Sequence, residues 1–274
     1  ATTNYRVQGG ALTLTGPQSV IRVGDGTSAG LGYSTIITSE ITGGAQLVKT
    51  DVGRLELTGT NSYTGGTALN GGTVRISSDA NLGAGSGVLS FNGGTLETTA
   101  DISSVRTVDL AGQGVFSIDA DTALTLTGNL TGAGLIGKLG AGTLLLAGAG
   151  NHAGGIGVAQ GTLLVNGDYG AATGPVTVNQ LTTLGGTGTI GGTVNLSGTL
   201  APGAGGAGTL TVGGDLLIRP TATLDFEFGE AGVVGGALND LVNVDGNLVL
   251  DGVLNVGVPA GGAFDFGIYR IFNY

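Results

Sequence analysis

The chain has no cysteine, no methionine and no tryptophan in 274 residues, and it has a single histidine. Without cysteine it can form neither a disulfide framework nor a thiolate metal site. The absence of methionine predicts that the sequence is a processed product or a piece of a longer protein. The sequence shows no signal peptide and no apolar run near the roughly 18 residues that a membrane-spanning helix needs.

Charged residues are scarce and mostly acidic, with 9 Lys and Arg against 19 Asp and Glu and a formal net charge of −10. A protein that neutralises phosphate groups needs a patch of cations, and nine scattered cations do not form one. The same sign of charge argues against binding to an anionic membrane surface. We therefore expect no nucleic-acid partner.

Glycine is abundant, at 59 residues, whereas proline numbers only 5. Hydrophobic residues make up 41% of the chain, which is enough to fill a core and argues against disorder. Aromatic residues make up only 5%, so the core must consist mainly of Val, Leu, Ile and Ala. This composition suits thin, regular layers better than one wide globular interior.

Apolar and polar residues alternate in short runs along the chain, which is the pattern of half-buried strands. Glycine-rich turns separate the runs, and none of the runs has the period of a helix. The clearest runs lie at residues 11–15, 54–58, 73–76, 123–127, 161–165, 193–197, 209–212 and 241–244. We expect an all-β chain with almost no helix.

Residues 47–76 match residues 136–165 without a gap at a constant shift of 89 positions. The shift carries Lys49 onto Lys138 and aligns glycines and alternating leucines, while most of the intervening polar side chains differ. A unit that keeps its turns and inward apolar positions, rather than reactive groups, is a structural repeat. Each unit leaves an apolar face that only a neighbouring unit can cover, so the units must stack.

The simplest stack of short strands with glycine-rich corners is a right-handed parallel β-helix, or β-solenoid. Coils of roughly 20–25 residues, spaced about 4.8 Å apart, would form about a dozen rungs and a rod on the order of 55 Å long. We predict N-terminal coils in residues 1–46 and a β-helix carrying both repeats in residues 47–185. Residues 186–274 are expected to form C-terminal coils and a cap.

The first copy resembles the autotransporter-associated β-strand repeat of passengers in Gram-negative autotransporters. The matching positions are Leu47, Lys49, Gly53, Leu55, Leu57, Gly59, Asn61, Tyr63, Gly65, Gly66, Thr67, Gly72 and Thr73. The first copy departs from the pattern at Asp51, where glycine is usual. The second copy has Gly140 there, but Gly150 and His152 replace the Asn and Tyr. Residues 186–228, with an Ala-Pro-Gly turn at 201–203, resemble the segment that follows such repeats.

This resemblance implies a non-catalytic passenger of the type V secretion pathway, secreted or displayed on the cell surface. It implies an adhesin-like stalk that contributes to virulence and is anchored through an outer-membrane translocator barrel outside this sequence. The implied partners are that translocator and an unidentified component of the host cell surface or extracellular matrix. We expect no catalytic residue, no cofactor and no metal ion.

The C-terminal end is rich in aromatic residues, because seven of the chain's 13 lie after residue 225. They are Phe226, Phe228, Phe264, Phe266, Tyr269, Phe272 and Tyr274. Bulky rings at the end of a glycine-rich stack would close its open core, as terminal repeats must. The family resemblance implies that this end is an autochaperone region that folds first outside the cell and nucleates the remaining coils.

Two short motifs could be mistaken for catalytic or nucleotide sites. Residues 26–30 match the Gly-x-Ser-x-Gly elbow around Ser28, but that elbow needs a helix after the serine, and a strand is expected there. Gly-x-Gly-x-x-Gly occurs three times, at 132–137, 186–191 and 203–208, about as often as the glycine content alone predicts. We interpret both motifs as glycine-rich turns.

The alternative function is a carbohydrate-active β-helix enzyme or a glycan-binding module, which would use paired carboxylates. Asp119 and Asp121 are expected on one side of a strand, as are Asp225 and Glu227. Because no cation lies within ten residues of the first pair, solvated acidic surface is the favoured interpretation. Alternating threonines, as in residues 122–127, could bind ice but fit a wettable outer face better.

Overall fold

A computed structural model describes residues 3–203 and 205–274, which form short β-strands and two brief 3-10 helices. The 3-10 helices are Ser28–Gly32 and Asp79–Leu82. No α-helix occurs in this described part of the chain, and none of its helices is long and apolar enough to span a membrane. The expectation of an all-β chain with almost no helix is confirmed.

The chain divides into two compact units, residues 1–142 and residues 143–274. The strands of the first unit are β1 Thr3–Val7, β2 Leu12–Leu14, β3 Gln18–Arg22, β4 Tyr33–Ile37, β5 Ile41–Gly43, β6 Gln46–Thr50, β7 Arg54–Leu57, β8 Thr67–Leu69, β9 Thr73–Ile76, β10 Leu89–Phe91, β11 Thr95–Thr98, β12 Ile102–Ser104, β13 Val108–Leu110, β14 Gly114–Ile118, β15 Ala123–Leu126, β16 Leu130–Gly132 and β17 Ile136–Leu139.

The second unit continues the same pattern of short strands. Its strands are β18 Thr143–Leu146, β19 Ile156–Val158, β20 Thr162–Val165, β21 Asp168–Tyr169, β22 Val176–Val178, β23 Thr183–Gly186, β24 Thr189–Ile190, β25 Val194–Leu196, β26 Thr199–Pro202, β27 Thr209–Val212, β28 Leu216–Ile218, β29 Thr223–Glu227, β30 Leu241–Val244, β31 Leu248–Val249, β32 Val253–Gly257 and β33 Phe272–Asn273. All eight alternating runs singled out in the sequence contain one of the observed strands.

In the first unit the strands pair in parallel with the strands of the coils before and after them. One sheet has the order β1-β4-β7-β9-β11-β14-β17 and another β16-β13-β10-β8-β6-β3, while β2 pairs with β5 and β12 with β15. Leu55 faces Val74, which faces Leu96, which faces Phe116. All four side chains are buried, so they form one continuous column through the core.

The second unit repeats this arrangement in three parallel sheets, ordered β19-β22-β25-β28-β31, β18-β20-β23-β26-β29-β32 and β21-β24-β27-β30-β33. In the second of these sheets a buried inner column lies beside a half-buried outer column. The inner column is Leu144, Leu163, Leu184, Leu200 and Leu224, and the outer one is Thr143, Thr162, Thr183, Thr199 and Thr223.

These columns follow from the period of a strand, since successive side chains point to opposite faces and in-register pairing stacks like upon like. Each unit is therefore a parallel β-helix, and the predicted fold class is confirmed. The right-handed turn of the coil and the division at residues 46 and 185 stay predictions. Coil length varies from 16 residues, between Thr183 and its partner Thr199, to 32, between Thr209 and its partner Leu241.

One corner of the first unit is held by a buried arginine. The Arg106 side chain is 1% exposed, and its Nε donates to Asp79 Oδ1 at 2.9 Å. Its Nη1 and Nη2 groups donate to the carbonyl oxygens of Ala84 and Gly83, both at 2.6 Å, and Nη1 also donates to Gly87 at 3.2 Å. A guanidinium suits this position because its donors are fixed in one plane and can satisfy several acceptors together.

Replacing Arg106 by methionine should destabilise the first unit strongly. The change leaves Asp79 without its cation and several corner carbonyls without donors, and breaking a buried ion pair in this way costs about 3–5 kcal/mol. Denaturant unfolding gives the free energy. Arg54→Met is the matched control, because Arg54 is 44% exposed and lies 3.8 Å from Glu97, an arrangement worth at most about 1 kcal/mol. Equal losses in both variants would contradict the assignment.

Candidate functional site

The two repeat copies place their shared apolar residues at equivalent buried positions. Leu55 and Leu57 of the first copy, and Leu144 and Leu146 of the second, are all at most 1% exposed. Their outward neighbours differ, since Arg54 and Glu56 correspond to Thr143 and Leu145. The repeat therefore preserves the interior of a coil and leaves its surface free to vary.

The lysine shared by both copies is also buried. Lys49 is 0% exposed, and its ammonium donates to the carbonyl oxygens of Thr50 at 2.9 Å, Asp51 at 2.7 Å and Gly71 at 3.2 Å. Gly71 lies in the following coil, so the ammonium joins two successive corners. Three acceptors are the number that an ammonium can satisfy.

Lys138 occupies the same position in the second copy and is likewise 0% exposed. Its ammonium donates to the carbonyl oxygens of Leu139 at 2.9 Å and Gly140 at 2.8 Å. Burial lowers the pKa of both lysines to about 8. At Lys49 the nearby Asp51 carboxylate acts in the opposite direction and raises the pKa. Both ammonium groups therefore remain mostly protonated at neutral pH, and sequence analysis noted their alignment without assigning this role.

The backbone explains why glycine is usual at the position of Asp51. Asp51 has φ of 65° and Gly140 has φ of 73°, so both corners need the left-handed conformation that glycine adopts most easily. Asp51 stabilises its conformation through its carboxylate, which accepts from Arg22 Nε at 3.0 Å and from the backbone N–H of Gly26 and Val52, both at 2.9 Å. These bonds hold the pKa of Asp51 below its usual value, the Arg22 bond contributing most.

Gly72 is fixed by two independent constraints. Its φ is 62°, and a Cβ there would lie 2.4 Å from the carbonyl oxygen of Asp51 and 2.7 Å from Lys49 Nζ. Its equivalent Gly161 has φ of 68°. The glycine that precedes the last strand of the first copy therefore makes room for the lysine and its carbonyl acceptors.

The corners between the second and third strands of the two repeats differ in their polar bonding. In the first copy Tyr63 is buried and its hydroxyl lies 2.6 Å from Thr67 Oγ1. Asn61 accepts from the backbone N–H of Ile41 at 2.8 Å and donates to the carbonyl of Asn81. In the second copy Gly150 and His152 stand at the positions of Asn61 and Tyr63, and His152 is 2% exposed.

Ser28 does not form a nucleophile elbow. It is an exposed residue at the start of a 3-10 helix that Thr27 caps, and β4 follows. The expected strand thus begins only after one helical turn. The imidazole nitrogens of His152, the chain's single histidine, are buried without a hydrogen-bond partner and do not orient the Ser28 hydroxyl.

The expectation that Asp119 and Asp121 share one side of a strand is wrong. β14 ends at Ile118, and both aspartates lie in the turn that follows, with Asp121 in the left-handed region at φ 60°. Stacking also brings a cation close, since Arg75 Nη2 is 4.0 Å from Asp119 Oδ2. That arginine is more than forty residues away in sequence, which is why a search of neighbouring residues missed it.

Asp225 and Glu227 do lie on one side of β29, as expected, because the side chain between them, Phe226, is buried in the core. They border an open groove of about 300 Å³ whose wall includes Thr183 and Ala201. The neighbouring Asp240 is buried and accepts from backbone N–H groups of the same region. Burial raises the pKa of Asp240 to about 6, against the effect of those bonds.

Within residues 3–203 and 205–274, no group of three or more His, Asp or Glu side chains is arranged to hold a metal ion. Several of the acidic groups instead pair with arginines or backbone N–H groups. On the first unit, for example, Arg75 Nε lies 3.5 Å from Glu97.

Five of the seven C-terminal aromatic residues form one connected series, which we call the aromatic cluster. In order of contact it is Phe272, Phe226, Phe228, Tyr269 and Phe264, with ring centroids 4.8–6.1 Å apart. Phe226 and Phe228 are buried. Phe266 and Tyr274 lie outside the cluster and are exposed, by 108% and 84% respectively.

Replacing either buried lysine by methionine should destabilise the coil that contains it. Methionine fills a similar volume but cannot donate to the corner carbonyls, so we expect Lys49→Met and Lys138→Met each to cost about 1–3 kcal/mol in denaturant unfolding at pH 7. Because the two copies bind their lysine in the same way, each variant is a check on the other. A fully stable Lys49→Met protein would contradict the role given to the ammonium.

Comparisons with known proteins agree with this geometry. The family model Passenger-associated-transport-repeat matches residues 47–76 and 137–165, the two copies described above. The chain is also 58% identical, over 129 residues, to Adhesin BmaC autotransporter of Brucella suis biovar 1 (strain 1330). The match covers 47% of this chain but only 4% of the relative, so the chain spans a small part of that protein's length. The matched repeats and the similarity to this relative support an adhesin-like autotransporter passenger, and the parallel β-helix is consistent with one.

Proposed function

We propose that this segment is a non-catalytic stalk of a surface-displayed autotransporter passenger that supports adhesion to host cells or extracellular matrix. Its proposed partners are a host-surface component and the outer-membrane translocator of the full-length protein. The adhesive part of the proposal rests on the name of the relative, which is called an adhesin.

The observation that supports a stalk is that the two repeats share their buried residues but differ at their outward positions. Each copy keeps a buried lysine, buried leucines and left-handed corners, whereas its outward positions change from Arg54 and Glu56 to Thr143 and Leu145. Selection for a catalytic centre would act on side chains that meet substrate. What recurs here instead builds and spaces coils, which is the requirement of a scaffold.

We further propose that the C-terminal end nucleates folding during export. The seven aromatic residues named above are the proposed cap, and the aromatic cluster is its packed part. Rings at these separations add about 0.5–1.5 kcal/mol per pair beyond the apolar area that they bury. A cluster of rings at the end of the stack would give earlier coils a template on which to stack.

Glycan binding is the second candidate function, and the groove beside Asp225 and Glu227 is the observation that favours it. Its volume of about 300 Å³ is at the lower end of ligand sites. Two carboxylates on one strand cannot face each other across a sugar ring as hydrolysis requires. The groove therefore favours binding over catalysis.

Adhesion predicts saturable binding of the 274-residue chain to cultured epithelial cells or to immobilised matrix proteins. The binding should disappear on denaturation and should exceed that of a folded protein of equal net charge, because shape rather than charge would carry it. Absence of saturable binding would contradict an adhesive surface in this segment. Loss of binding in Asp225→Asn/Glu227→Gln alone, together with competition by soluble glycans, would favour the second candidate.

Deleting residues 264–274 should lower the stability of the 143–274 unit well beyond local fraying, because it removes three rings of the aromatic cluster. Refolding after dilution from denaturant should also become slower if this end nucleates folding. Denaturant unfolding and stopped-flow fluorescence of the tyrosines measure the two effects.

A pair of point variants separates packing from simple loss of an aromatic residue. Phe272→Ala removes a ring that contacts Phe226 at 5.8 Å, whereas Phe266→Ala removes a fully exposed ring. We expect a cost of about 2–4 kcal/mol for the first and less than about 0.5 kcal/mol for the second. If the protein without residues 264–274 unfolded and refolded like the full chain, the proposed cap would be contradicted.

A further inference from the structure

The second repeat corner encloses a small cavity of about 10 Å³. Six aliphatic side chains line most of it, namely Leu146, Ile156, Val165, Ala172, Val176 and Ile190. The remaining side chains in its wall are His152 and Tyr169. A cavity of this size is close to the smallest that can hold one water molecule.

His152 and Tyr169 bring polar atoms into this apolar space without satisfying them. His152 is 2% exposed and Tyr169 is 3% exposed. The two imidazole nitrogens of His152 have no hydrogen-bond partner within the described chain. The Tyr169 hydroxyl has none either. Buried polar groups normally find partners, so three unpartnered atoms around one cavity mark an unusual site.

The first repeat shows what this corner lacks. There Thr67 provides the oxygen that pairs with the Tyr63 hydroxyl, and the equivalent of Thr67 in the second copy is Ile156. The first corner is also tied to its neighbours by backbone bonds, including Ser62 N–H to the Ile41 carbonyl at 2.9 Å. In the second, Gly150 N–H donates to the Asp168 carbonyl at 3.1 Å.

We propose that the His152 cavity is an acid-sensitive opening point of the 143–274 unit. Uptake of a proton by the imidazole would turn both ring nitrogens into donors inside a wall that is almost entirely hydrocarbon. The corner formed by residues 147–155 would then swing away from the coil that follows, so that the imidazolium reaches water. This inference is independent of the adhesive role proposed above.

No neighbouring charge can offset the cost of the imidazolium. Tyr169 is the other titratable group in the wall of the cavity, and burial raises its pKa to about 12, so it stays neutral. The adjacent Asp168 side chain is exposed rather than part of the wall. Burial alone lowers the pKa of His152 below its usual 6.5.

The direction of the pH effect follows from the lowered pKa of His152 in the closed corner. Because the opened corner binds the proton more tightly than the closed one, stability of the corner is complete above pH 6.5 and is lost as the pH falls below it. Between pH 6.5 and the lower pKa of the closed corner, the opening equilibrium shifts about tenfold per pH unit. A phosphate or acetate buffer series from pH 7.5 to 4.5 covers this range.

Two measurements on the 274-residue chain test the proposal directly. Since the chain has one histidine, NMR of histidine-labelled protein reports the His152 imidazole without assignment. The imidazole should titrate with a pKa below the usual 6.5. Hydrogen exchange should show that the protection factors of the Gly150 and Ile156 amides fall about tenfold per pH unit below 6.5, while the Ser62 amide serves as an internal reference and keeps its protection.

The first repeat supplies a matched variant. His152→Tyr/Ile156→Thr installs the Tyr63–Thr67 pair in the second corner and should make Gly150 protection independent of pH from 6.5 to 5. His152→Leu, which has no proton to gain, provides a second test if the double variant fails to fold. An imidazole that titrates at or above 6.5 in a protected corner would overturn the proposal. Acid-induced loss of protection that persists unchanged in His152→Leu would overturn it as well.

Discussion

Backbone hydrogen bonds between successive coils, made in parallel and in register, are the constraint on which the rest of this structure depends. They place Leu55 on Val74 and Leu144 on Leu163, so each inner side chain is covered by the coil before it and the coil after it. An interior made of single columns needs no large aromatic residues. It leaves little free space, and a polar group that turns inward without a hydrogen-bond partner therefore costs stability.

The two repeats meet this demand at their corners in different ways. Lys49 and Lys138 bring a charge into the interior and satisfy it with carbonyl oxygens that the left-handed turns expose. Arg106 does the same for a longer corner. In the first repeat the Tyr63 hydroxyl pairs with Thr67. In the second repeat the His152 nitrogens have no hydrogen-bond partner.

Conserved interiors with variable surfaces suit a passenger segment. The outer residues of successive coils can change without disturbing the stack, because they do not take part in the inner columns. A surface of this kind can acquire binding properties coil by coil. The same independence explains why the two copies of the repeat share their inner positions and not a constellation of reactive side chains.

The sequence alone determined the strands, the repeat and the stacking, because alternation of period two and glycine at turns are local properties of the backbone. It also placed Asp225 and Glu227 on one side of a strand. Only the tertiary structure decided that Lys49 is buried, that Arg75 approaches Asp119 and that Phe266 stands apart from the aromatic cluster. Those contacts join residues of different coils, and since coil length varies from 16 to 32 residues, spacing along the chain does not reveal which side chains meet.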